Sequence, residues 1–235
     1  MNKIINSFVY QHILERGMPN PNIPAYLSET YSQCYEDIIM DSMIRAYVKC
    51  NGAPNGITFI EIGANHPVCT SASYLLQQKY DMTGILVEAN PKLVPALQQF
   101  RPNDTVINAA VVDTDQETVD FYISANNETS SLDEKFVSNR TPGIEDKITV
   151  STIRINRLLE MVHDQEMIIL SVDVEGYDLR LLQDIDFTQY RPFLIQVEPS
   201  EDYSPGSTKN IIDFMLDNNY NLVAETDVNL IFRTQ

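Results

Sequence analysis

The sequence predicts an α/β fold, a doubly wound and mostly parallel seven-stranded sheet with an antiparallel terminal strand, and three observations predict it. Seven short apolar runs recur along the chain, "ITFIEI", "GILVEA", "TVINAAVV", "MIILSVDV", "FLIQVE", "LVAE" and "NLIF". Most are apolar throughout instead of alternating, as expected of strands covered on both faces. Helical spacing of apolar residues separates the early runs, whereas the last two lie too close together for a crossover helix and must pair as a hairpin or edge pair. The chain has 235 residues, 43% of them hydrophobic, which is enough for one substantial core.

The elements follow in order. Residues 1–30 hold Pro19, Pro21 and Pro24 close together and read as an irregular N-terminal arm, leaving 31–235 as a single domain. In "SQCYEDIIMDSMIRAYVK", Ile39, Met43, Ala46 and Tyr47 recur at helical spacing, so an amphipathic helix precedes the first strand. After "ITFIEI", Val68, Ala72, Leu75 and Leu76 share one helical face, with Pro67 suited to the first turn because its missing N–H would have no partner there. After "GILVEA", Leu93, Leu97 and Phe100 do the same. Residues 124–149 are polar and rich in turn formers, which fits either a binding loop over the site or a surface insertion.

Composition removes several functions. With 16 Lys and Arg against 33 Asp and Glu the net charge is -17, a field that repels nucleic acid and anionic bilayers, and no basic patch offsets it. Cys34, Cys50 and Cys69 show no C-x-x-C spacing and lie in or beside apolar stretches, so buried thiols are expected instead of a disulfide framework or zinc site. No segment approaches the roughly 18–20 apolar residues of a membrane span, and no signal-peptide pattern opens the sequence, so the expected compartment is the cytoplasm.

Ligands of open α/β sheets bind beyond the carboxyl ends of the strands, so the residues closing each run carry the functional information. Those ends are acidic: Glu61 before Gly63, Glu88-Ala89-Asn90, Asp173-Val174-Glu175-Gly176, and Gln196 with Glu198. "FIEIGANHP" lacks the later glycines of a dinucleotide loop, placing His66 and Pro67 where they would fall, and Glu61 would repel a phosphate. The site therefore suits a cationic nucleoside. S-adenosylmethionine has an ammonium and a sulfonium and no phosphate, and Glu88 stands near the offset at which a ribose-binding acid follows the glycine turn.

At these residues the chain resembles the FkbM-type methyltransferases, from "YSQCYEDIIM" through "FIEIGANHP", "GILVEANP", "NAAVVD" and "LSVDVEGYD" to "RPFLIQVEPS" and "NLIF", with "SSL" between, about residues 31–233. The resemblance implies a class I methyltransferase (Rossmann-like) sheet and O-methyl transfer from S-adenosylmethionine. It implies cofactor contacts at Gly63, Asn65 and Glu88, the adjoining Ala89 and Asn90, and Ala109 at the third strand end, and Glu61 and Asp173 at their strand ends are further expected cofactor contacts. Many members carry a lysine where Ser171 stands and a second acid where Asp178 stands, so the active-site charge balance here differs, and Glu61 stands in place of a commoner aspartate.

A sugar-like hydroxyl needs a base in reach, or a metal that acidifies it. Asp173, at the strand end, is the expected base facing cofactor and acceptor, with Glu175 shaping the acceptor pocket or sharing a proton; being two apart on an extended segment, they face opposite ways unless the backbone turns. His66 is the alternative base. Magnesium held by Asp173 with Glu198 or Glu175 is a further option, since hard oxygens suit it. Ser130 and Ser131 are candidate contacts to the acceptor or the cofactor, and Tyr177 and Tyr203 to a sugar face. The expected acceptor is a small molecule or glycan. A methyltransferase-fold binding or assembly module without catalysis is the competing reading, and a nicotinamide oxidoreductase is disfavoured by the glycine count.

Overall fold

The computed structural model describes residues 30–235; the proposed arm over 1–30 lies outside the described residues except for Thr30. Helix α1 (Glu36–Asn51) leads into β1 (Ile57–Ile62), α2 (Tyr74–Tyr80), β2 (Ile85–Glu88), α3 (Val94–Phe100) and β3 (Thr105–Asn108). A second group follows: β4 (Ala110–Val112), β5 (Thr118–Ser124), a 3-10 turn (Asn127–Thr129), α4 (Glu134–Ser138) and β6 (Ile144–Arg154). The chain then returns through α5 (Ile155–Met161), β7 (Met167–Val172), α6 (Asp178–Asp184), β8 (Leu194–Val197), α7 (Ser207–Asp217), β9 (Tyr220–Glu225) and β10 (Leu230–Thr234).

The seven expected strands form one sheet in the order β3-β2-β1-β7-β8-β10-β9, parallel except for β10, which runs antiparallel to both neighbours. This is the class I methyltransferase arrangement. Alternation along each strand explains the double winding. Ile60, Ile62, Leu170, Val172, Ile195 and Val197 pack on one face with α5, α6 and α7, while Phe59, Leu86, Ile169, Leu194 and Ile231 pack on the other with α1 and Leu97 of α3. Truncating Leu170, which is fully buried, to alanine would cost ~2–5 kcal/mol. Among the described residues no helix is long and apolar enough to cross a membrane.

Three expectations change. "TVINAAVV" is two strands in two sheets: β3 ends at Asn108, and β4 joins a separate three-stranded sheet ordered β4-β6-β5. The part of β6 that falls in the polar 124–149 segment is solvent-facing, so no apolar run announces it. The helix after β1 begins at Tyr74, so Pro67 and Val68 lie in turns before it. Of the three cysteines only Cys69 is buried; Cys50 is exposed in the last turns of α1, where helical rotation carries it to solvent.

Candidate active site

Strand order reverses between β1 and β7, which places a crevice beyond their carboxyl ends. A cavity opens there, at the place where open α/β sheets bind their ligands. Gly63, Asn65, Glu88, Ala89, Ala109, Asp173 and Glu175 all line it. Glu61, His66 and Asn90 do not.

The wall nearest β1 and β2 is built by backbone donors. Gly63 and Ala64 N–H groups donate to the Val87 carbonyl at 3.0 and 3.1 Å, pinning the turn after β1 to β2. Gly63 has φ 81°, and a Cβ there would stand 1.8 Å from the Asp173 carbonyl oxygen, so no side chain is tolerated. Glu88 is buried and accepts from Asn65 N–H at 2.8 Å and Asn90 N–H at 2.7 Å, one on each oxygen. Burial raises its pKa and these bonds oppose the rise. Each oxygen keeps a further lone pair for a ligand hydroxyl. Asn90 closes this turn: its side chain accepts from Lys92 N–H at 3.0 Å and reaches Asn127 at 3.4 Å.

Glu61 points away from the cavity. Its carboxylate accepts from Ala72 N–H at 2.9 Å, from Ser71 Oγ at 3.0 Å and from Ser73 Oγ, beneath the loop that follows β1. Burial raises its pKa, and the nearby Arg101 guanidinium is the largest opposing influence. His66 is likewise occupied locally. Its Nδ1 accepts from Val68 and Cys69 N–H groups at 3.1 and 2.9 Å, and burial lowers its pKa to about 4, so it stays neutral with that lone pair engaged. It fixes the turn and is not set to take a proton from a ligand in the cavity.

The wall nearest β7 and β8 is the reverse. Glu175 has φ 58° and Gly176 φ 94°, so the backbone turns sharply and the alternation expected between Asp173 and Glu175 fails. Asp173, Glu175 and Glu198, all half-buried, instead bring one carboxylate oxygen each within 4.8 Å of one another. Burial and then the neighbouring Glu198 raise Asp173 well above the usual carboxylate range and Glu175 to about 9; burial also raises Glu198. Asp178, the first residue of α6, accepts from Val174 and Gly176 N–H groups at 3.0 Å and holds the turn from within; burial raises it to about 7.

The polar 124–149 segment supplies part of the cavity wall, through Asn127, Glu128 and Ser130. Ser131 Oγ donates to the Glu175 carbonyl at 2.7 Å, and Phe136 packs beneath Gly176, with Tyr203 edge-on at 4.9 Å. Tyr177 and Tyr203 spend their hydroxyls on Asp113 and Asp133. Sequence reasoning missed Arg140, whose guanidinium stacks on Phe136 at 4.1 Å and whose charge favours ionised Glu175 and Glu198. It also missed Arg101, because a lone arginine in a turn gives no sign of burial.

A mostly parallel sheet of this order, with a cavity at its switch point and one glycine turn, is the class I methyltransferase fold. The chain belongs to the FkbM methyltransferase family: the model of the methyltransferase FkbM domain matches residues 61–222. No curated protein matches the chain. Similar solved structures include a TehB-like SAM-dependent methyltransferase from Corynebacterium glutamicum, 11% identical, with all of both chains covered and a TM-score of 0.45. Others are an SAH-bound methyltransferase from Podospora anserina, 12% identical over 98% of this chain and 88% of that one, TM-score 0.45, and the precorrin-6y C5,15-methyltransferase from Geobacter metallireducens, 12% identical over 83% and 88%, TM-score 0.42.

Proposed function

We propose that residues 31–235 form a single domain that transfers a methyl group from S-adenosylmethionine to a hydroxyl of a carbohydrate or glycosylated metabolite. The observation that carries this is the meeting of Asp173 and Glu175, which line the cavity, with Glu198 beside them, in a cavity also lined by a Glu88 whose carboxylate is held for ligand hydroxyls. When bound, the cofactor supplies an electrophilic methyl group on a sulfonium. The chain supplies the rest. Gly63 and Asn65 let the backbone approach, Glu88 accepts ribose hydroxyls, and the loop wall from Asn127 to Ser130 restricts water. An acceptor hydroxyl must lose a proton, and a carboxylate whose pKa is raised toward neutrality is a stronger base than an ordinary one. Asp173 fills that role, with Glu175 and Glu198 sharing the proton; their crowding favours the protonated form, and a cationic ligand beside them favours the ionised form.

Two measurements test this. Calorimetry should find micromolar S-adenosylmethionine binding to the full chain, and silence at millimolar cofactor would overturn it. Radiolabelled methyl should pass to a hydroxyl within a panel of mono- and oligosaccharides. The three carboxylates also favour a second reading of the same site, that they hold magnesium, for which their hard oxygens are suited. In that case methyl transfer falls on chelation with EDTA and returns with magnesium; transfer indifferent to EDTA leaves the carboxylates as proton acceptors alone.

A further inference from the structure

Arg101 is wholly enclosed, with 0% exposure, although a guanidinium is rarely buried unless its donors are used. Nε donates to Asp104 at 2.7 Å, Nη1 to the Pro67 carbonyl at 3.0 Å and to Ser71 Oγ at 3.4 Å, and Nη2 to Ser73 Oγ at 3.0 Å. The rings of Phe59 and Tyr74 lie 5.2 and 5.5 Å from its Cζ. Asp104 is itself anchored, accepting from Gly84 N–H at 3.0 Å and Gln77 Nε2 at 2.8 Å. The two serines that accept from Arg101 donate onward to Glu61, so a relay of fixed direction runs from guanidinium to carboxylate through the loop between them.

That loop, residues 63–73, forms part of the cavity wall. Gly63, Asn65 and Thr70 line the cavity, and all three have left-handed backbones, φ 81°, 41° and 60°. At non-glycine residues such conformations persist only where the surroundings over-determine them. A buried ion network is weak evidence for stability, since apolar residues of similar volume are often as stabilising. What the network adds is three fixed points, Pro67, Ser71 and Ser73, on one short loop.

We infer that Arg101 is a positioning residue for the cofactor: by holding Pro67, Ser71 and Ser73 against Glu61 it sets the shape of the loop that presents Gly63, Asn65 and Thr70 to the ligand. This rests on the reading that the cavity takes S-adenosylmethionine. The test is calorimetric titration of S-adenosylmethionine into the full chain, well below the thermal midpoint, for the wild type, Arg101→Lys and Met215→Ala. Lysine keeps the charge but cannot reach the three loop acceptors in a fixed fork. Met215 is fully buried in α7, away from the loop, and serves as a control for lost stability alone. Arg101→Lys should bind at least about tenfold more weakly while Met215→Ala stays within about twofold of wild type. Arg101→Lys binding as tightly as wild type would overturn the inference, as would equal weakening in both variants. Should Arg101→Lys fail to fold, Ser73→Ala removes one link without removing a charge: weaker binding supports the relay, and unchanged binding refutes it. Failure of the wild type itself to bind defeats the underlying reading and this inference together, and is seen before any substitution is made.

Discussion

Two groups of acids stand at neighbouring strand ends and have opposite fates. At β1 and β2, Glu61 and Glu88 are met by backbone N–H groups, serine hydroxyls or an arginine, so each carboxylate has its partners within the protein. At β7 and β8, Asp173, Glu175 and Glu198 chiefly face one another. Acids of the first kind build a wall. Acids of the second kind store repulsion that a proton or a bound cation relieves, which is the property a site for a sulfonium and a reacting hydroxyl needs.

The sharpest way to break this contrast is to remove one acid from each group. Asp173→Asn should lower methyl transfer by on the order of 10²–10⁴-fold, as loss of a general base does, and should raise the thermal midpoint because crowding is relieved. Glu61→Ala should do the reverse to stability, leaving the buried Ala72 N–H and the Ser71 and Ser73 hydroxyls without their acceptor at a cost of ~1–3 kcal/mol by denaturant melts. If both variants shift stability in the same direction, the distinction between the groups is wrong. Gly63→Ala should come next: its Cβ would strike the Asp173 carbonyl, so calorimetry should show S-adenosylmethionine binding weakened by at least about tenfold, ~1.4 kcal/mol.

The smallest effect concerns pH. Glu175 is raised to about 9 and Asp178 to about 7, so the folded protein holds more protons than the unfolded chain above the ordinary values of 4.5 and 3.8. Each contribution is fully present below the unfolded value and is lost as pH rises through the folded one. The thermal midpoint should therefore fall between about pH 5 and 9, and S-adenosylmethionine should offset more of the fall at the alkaline end, where the ionised carboxylates attract it. A midpoint that climbs with pH across this window would show the carboxylates to be paired elsewhere.

Much of this was legible in the sequence because the central parallel strands β1, β2, β7 and β8 are buried and must be apolar on both faces, while the partly exposed edge strands β3 and β9 and the antiparallel β10 still carry short apolar runs. The small sheet was hidden because β6 is largely solvent-facing and carries Glu145, Asp146 and Lys147 at its start. The helix after β1 starts later than apolar spacing predicts because His66, through its own ring nitrogen, organises a turn ahead of it. At the site, the sequence shows which acids close strands but not what each one meets. Glu61 and Asp173 look alike in one dimension; Ser71, Ser73 and Arg101 separate them only once the loop folds back. Nor does any spacing announce that Glu175 adopts a left-handed backbone and turns its carboxylate toward Asp173.

A crystal structure of the full chain with S-adenosylhomocysteine tests the central claim most directly. The ribose hydroxyls should rest on Glu88 and the sulfur should face the space bounded by Asp173, Glu175 and Glu198. A ligand seated elsewhere, or a sulfur directed away from those three carboxylates, would contradict it.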